Sequence, residues 1–131
     1  MLFLAAALSF AAPDSEIRLS ATISVPQAVF HLKETEKLNV SFTVTNAGTI
    51  TVDPDLRSSQ LFVNGAVPEN WFEVITKGPK TSQFEALPPG QTLRFGYQMG
   101  PAYFTKPGVY KVRWKGTHFE AREITFRVVP D

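Results

Sequence analysis

Apolar and polar residues alternate with period two in five separate segments, and that repeat constrains the chain more than any other feature. Ile17, Leu19, Ala21, Ile23 and Val25 share one parity, as do Leu38, Val40, Phe42 and Val44. So do Leu93, Phe95, Tyr97 and Met99, then Tyr110, Val112 and Trp114, then Ile124, Phe126 and Val128. Successive side chains of a strand point to opposite faces, so each run reads as a strand with one buried face. No window of useful length holds an apolar period near about 3.6 residues, so the pattern predicts no long helix.

Turn chemistry separates the runs. Gly48 in "TNAGT" can take positive φ, and Asn64-Gly65 is a strong two-residue hairpin signal. "LPPGQ" (Leu87 to Gln91) and "KPGV" (Lys106 to Val109) place glycine where a type II turn requires it. Pro26 divides the first strand region into two pieces, as proline does on sheet edges. Short strands with turns about every ten residues predict an antiparallel sandwich or barrel. In the middle of the chain the pattern predicts a strand over Ile50 to Asp53, a loop, and a strand over Gln60 to Val63. "WFEVITKGPK" fits either parity, and "GPKTSQ" reads as a polar connection.

The chain divides into a leader over residues 1–11 and one domain over residues 12–131. "MLFLAAALSFAA" is too short to span a bilayer, which takes about 20 residues, and it fits the apolar core of a secretory signal. Ser9 and Ala11 have the small-residue spacing of a cleavage site after Ala11. The basic segment that normally precedes such a run is missing. The expectation is export to the periplasm, the cell surface or the medium. With 44% hydrophobic residues the domain can build a true core, and with no cysteine it has no disulfide or thiolate metal site. A net charge of +1 argues against broad electrostatic capture of nucleic acid.

"EALPPGQTLRFGYQMG" followed by "FTKPGVYKVRW", together with "LNVSFTVTNAGT", resembles the strands and corners of bacterial immunoglobulin-like domains of the cell-adhesion-related CARDB and BsuPI-like proteinase-inhibitor types. These stretches cover about half of the mature chain, and they are specific for the fold type more than for one family. The resemblance implies an all-β, antiparallel immunoglobulin-like sandwich of about seven to nine strands. It also implies that Tyr110 sits at a tyrosine corner, with its ring buried and its hydroxyl bonded to nearby backbone. It transfers no catalytic residue and no cofactor. The sequence departs from antibody domains in lacking the cysteine pair and in placing Trp114 late in the chain.

Candidate chemistry is sparse. His31, Glu34 and Glu36 in "HLKETE", with His118, are groups a metal site or an acid–base pair could use, against the plainer reading of a solvated loop. Asp53 and Asp55 flank a proline, as calcium ligands or as turn residues. Ser58, Ser59 and Ser82 stand outside any nucleophile elbow. Trp114 shares the parity of Tyr110 and Val112 and is expected in the core, whereas Trp71 at a loop boundary is the better candidate for a partly exposed platform. Tyr103, Phe104, His118 and Phe119 are expected to cap the ends of the sandwich. Lys111, Arg113 and Lys115 face away from the core, with Arg127 on the next strand, and Arg113 is expected to pair with Glu123. Asn39 begins a sequon, "NVS", and faces outward.

These readings describe a non-enzymatic, exported accessory or binding module without metal or cofactor. Its partner is another protein or a surface polymer, through Trp71, Lys111, Arg113, Lys115 and Arg127. The alternatives are a proteinase inhibitor presenting Thr76 to Gln83 or Asp53 to Gln60, and a carbohydrate-binding module using Trp71.

Overall fold

The computed structural model describes residues 16–77 and 81–131; the proposed leader lies outside the described residues. Among the described residues seven strands form two sheets: β1 (Leu19–Ser24), β2 (Val29–His31), β3 (Asn39–Asn46), β4 (Gln60–Val63), β5 (Thr92–Gln98), β6 (Gly108–Lys115) and β7 (Ile124–Val129). One sheet has the order β1-β3-β5 and the other β2-β7-β6-β4. Every pairing is antiparallel except β2 with β7, which is parallel. The architecture is an immunoglobulin-like β-sandwich, in which Pro26 lies in the switch from the first sheet to the second.

The alternating apolar residues meet between the sheets. Phe42 on β3 stacks on Phe95 of β5 at 5.2 Å between ring centroids and meets Trp114 of β6 edge-on at 4.9 Å. Trp114, Phe42, Val112, Val40 and Val44 are fully buried. Edge-to-face aromatic contacts of this kind add about 0.5–1.5 kcal/mol beyond area burial.

Two middle segments differ from the alternation-based expectation. Ile50 to Asp53 is not a strand: Val52 alone bridges to Leu87, and the chain then turns through Pro54 and a left-handed Asp55 at φ 54°. Proline cannot donate to a ladder, which ends the pairing there. "WFEVITK" is neither parity of a strand but a short helix, α1 (Trp71–Lys77). Its buried residues Trp71 and Ile75 are four apart, the spacing of one helix face. A second short helix, α2 (Gly100–Tyr103), follows β5.

The turns show their chemistry directly. Asn64 and Gly65 both take positive φ, and Val63 and Ala66 exchange backbone hydrogen bonds across them. Gly90 has φ 80° in the turn closed by Gln91 N–H donating to the Pro88 carbonyl. Gly48 is required for a different reason from the positive φ expected of it. A Cβ there would lie 2.2 Å from the Glu16 carbonyl oxygen, so the backbones can approach only without one. Gly48→Ala is expected to force the start of β1 away from β3 and to cost about 1–3 kcal/mol. A urea midpoint equal to that of the wild type would remove this reading.

Candidate functional site

The outer face of the four-stranded sheet collects the cations that the alternation set apart. In register, Lys115 lies opposite Gln60 and Arg113 opposite Phe62, while Lys111 lies opposite Thr125 and Val109 opposite Arg127. The parallel pairing adds Val29 beside Arg127. Arg127 is therefore flanked by two exposed valines, Val29 at 41% and Val109 at 51% exposure. Lys111, Lys115 and Arg127 are exposed, and among the described residues none forms a salt bridge.

Arg113 is held differently. Its guanidinium lies 5.3 Å from the centroid of the Phe62 ring and 3.1 Å from Glu120. The expected partner was Glu123. The chain after β6 folds back at once, with Gly116 N–H donating to the Phe119 carbonyl and Ala121 N–H to the Trp114 carbonyl. That return sets Glu120 opposite Lys115 and within reach of Arg113 before β7 begins. Half-exposed on both sides, this pair contributes at most about 1 kcal/mol.

Trp71 is not a surface platform. It is 2% exposed, its ring lies 5.7 Å from Phe42, and its Nε1 donates to the Ser59 carbonyl at 2.8 Å. The position at a loop boundary marked a helix start whose first side chain packs inward. The exposed aromatic of α1 is Phe72, at 61%.

The carboxylates of Asp53 and Asp55 border a cleft of about 220 Å³ with Leu56, Arg57, Ile75, Phe84 and Glu85. Both are engaged locally. Asp53 accepts from the Asp55 N–H at 2.7 Å, and Asp55 accepts from Ser58 at 3.1 Å and Thr117 at 2.9 Å. Glu34 accepts from the His31 N–H at 2.8 Å in a capping box at the start of a 3-10 helix over Leu32–Lys37. Among the described residues no three His, Cys, Asp or Glu side chains are grouped to hold a metal ion. Ser59 is buried and donates to the Leu56 carbonyl, and Ser82 opens an exposed turn. The Asp53 to Gln60 segment is pinned to the body by buried Leu56 and Ser59. The Thr76 to Gln83 segment lies partly outside the described residues.

Towards the two ends of β6, Phe104 packs on Tyr110 and Phe126 at 5.0 Å each, and Phe119 lies 4.6 Å from Trp114. The half-buried Tyr110 donates its hydroxyl to the Lys106 carbonyl at 2.7 Å, the hydrogen bond of a tyrosine corner. A second groove of about 300 Å³ runs between α1, the end of β5 and α2, lined mainly by Val74, Tyr97, Met99 and Tyr103. Burial holds the phenols of Tyr97 and Tyr103 above their ordinary pKa, and among the described residues the Tyr103 hydroxyl has no hydrogen-bond partner.

The sequence singled out Lys111, Arg113, Lys115 and Arg127, and the structure brings them onto one face. It missed Val109, which the parity of Lys111 already marked, and Val29, which reaches the face only through a non-local pairing. No described helix is long and apolar enough to cross a membrane.

No family model matches the chain, and no curated protein matches it. Solved structures do. The CARDB domain of a Pyrococcus furiosus protein, determined in complex with di-metal ions, matches 89% of this chain and 97% of its own length at a TM-score of 0.56 and 19% identity. Part of a β-glucosidase from Erythrobacter marinus matches 86% of this chain at a TM-score of 0.50 and 16% identity, over 16% of the enzyme. At these identities the likeness is one of fold: this chain is an immunoglobulin-like sandwich similar to CARDB domains.

Proposed function

We propose that the domain is an exported, non-enzymatic binding module that docks the outer face of its four-stranded sheet onto an acidic protein surface. One observation carries the reading. Lys111, Lys115 and Arg127 stand exposed and without ion-pair partners among the described residues, around exposed Val29 and Val109. Charges at such a surface steer association and set its salt dependence, while the valines supply apolar contact area. Export rests on the apolar leader and its small-residue cleavage pattern.

The test compares capture by the wild type and by a Lys111→Glu, Lys115→Glu, Arg127→Glu variant, at low and physiological salt. The expected result is a common partner whose association slows about tenfold or more in the variant and weakens with salt in the wild type. Equal capture by both proteins, with no salt dependence, would sink the proposal.

A further inference from the structure

The other sheet carries a feature independent of the basic face. β1 is an edge strand: it pairs with β3 along its full length, and no described residue pairs with its other side. The hydrogen-bond phase shows which groups are open. Ala47 N–H donates to the Arg18 carbonyl, and the register sets Leu19 opposite Asn46. Because bonded and non-bonded pairs alternate in an antiparallel ladder, Ser20, Thr22 and Ser24 turn their backbone groups toward β3. The N–H and C=O of Leu19, Ala21 and Ile23 point away from the sheet.

Edges of this kind are usually blunted with charge, proline or brevity. The other edges follow that rule. β2 has three residues, β4 has four, and β5 carries Arg94 and Gly96. β1 is six residues, "LSATIS", without charge, proline or glycine. From Leu19 to Ile23 its order is also symmetric in chemical type about Ala21, while Ser24 is mirrored by Arg18 just before the strand. Leu19 and Ile23 are apolar, Ser20 and Thr22 carry hydroxyls, and beyond them Ile17 mirrors Val25.

We propose that β1 is a homodimer interface: two copies pair their β1 edges antiparallel about a twofold axis at Ala21, joining the sheets into one of six strands. In that register Leu19 faces Ile23 of the second copy, Ser20 faces Thr22, and the outward groups of Leu19, Ala21 and Ile23 satisfy one another. The exposed Ile17 comes against Val25, and the half-buried Leu19 and Ala21 lose water. An antiparallel twofold contact needs a strand that matches itself reversed, which is why a second copy fits this edge better than an unrelated strand. With one strand per subunit the contact falls among the small interfaces, so the dimer exchanges with monomer.

Sedimentation velocity tests it. At about 100 μM, a concentration that saturates a micromolar Kd, the wild type is expected to show a doubled mass that falls toward the monomer on dilution. Ser20→Lys with Thr22→Lys is expected to be monomeric, as is the matching glutamate pair, because like charges then face each other across the axis. Mixing the lysine and glutamate variants is expected to restore the dimer. Because the chain has no cysteine, single thiols are clean probes. Ala21→Cys sits on the axis and is expected to oxidise to a covalent dimer. Ser20→Cys is not, because strand spacing puts its two Cα atoms about 8 Å apart, beyond disulfide reach. A wild type that stays monomeric at that concentration, a lysine variant that stays dimeric, a mixture that stays monomeric, or cross-linking at 20 as fast as at 21 would each overturn the proposal.

Discussion

Trp114→Ala is expected to cost about 3–5 kcal/mol, the range for deleting a large buried aromatic. A domain of this size has about 5–15 kcal/mol in total, so the variant unfolds at the lower end of that range and melts far earlier at the upper end. The reason is position. Trp114 is fully buried on β6 and touches Phe42 and Phe95 of the facing sheet and Phe119 of the following loop. Its removal leaves a hole bounded by rigid strands that cannot collapse into it. Phenylalanine replacements separate packing from polarity. Among the described residues the Trp114 Nε1 has no hydrogen-bond partner, so Trp114→Phe loses volume and no bond. Trp71→Phe leaves the buried Ser59 carbonyl without its donor, at about 1–3 kcal/mol. Trp71→Phe is therefore expected to have the lower urea midpoint of the two. The reverse order would show that packing around Trp114 outweighs the lost bond.

The parity that placed Trp114 in the core is a local property of six or seven residues, which is why β1, β3, β5, β6 and β7 were legible in the sequence. Pro26 marked a second piece, but the bounds and pairing of β2 were not legible, because three residues carry no measurable alternation and its parallel ladder to β7 is set by contacts about a hundred residues apart. α1 was misread because Trp, Phe, Val, Ile and Thr favour strands, and two helical turns are too short to establish the longer period. Trp71 was misjudged with it: nothing beside it in sequence reports that Phe42 lies against its ring. The basic face was half legible. Lys111, Arg113 and Lys115 share a strand and a parity, but the assignment of Glu120 to Arg113 depends on how tightly residues 116–119 turn. The loss of Ile50 to Asp53 as a strand followed from Pro54, a signal the sequence did contain.

Asn46→Asp is expected to destabilise the protein strongly and to make its stability depend on pH in a defined direction. Asn46 is fully buried at the end of β3. Its amide nitrogen donates to the Ile50 and Leu87 carbonyls at 2.8 Å each, and its amide oxygen accepts the Gly48 N–H at 2.9 Å. The residue thus ties two connecting segments, the loop after β3 and the turn before β5, to one strand. Aspartate keeps the acceptor and loses both donors. Its ionised form sets a carboxylate oxygen against two carbonyls without solvent, and each buried group left unpaired costs about 1–3 kcal/mol. Burial and the facing carbonyls both disfavour the charged form, so the folded-state pKa rises above the unfolded value of about 3.9. Between those two values the folded state binds more protons than the unfolded state, so stability falls as pH rises. The variant is expected to be most stable at and below about pH 4 and to weaken toward neutrality, measured relative to the wild type at each pH. Even the protonated acid has one donor for two carbonyls, so the deficit narrows at low pH without closing. Asn46→Ala serves as the control: it loses the same donors and adds no titrating group, so its deficit is expected to be constant over that range. A deficit in Asn46→Asp that is equally flat would mean that water reaches the site and that the three carbonyl and amide contacts do not act as a closed network.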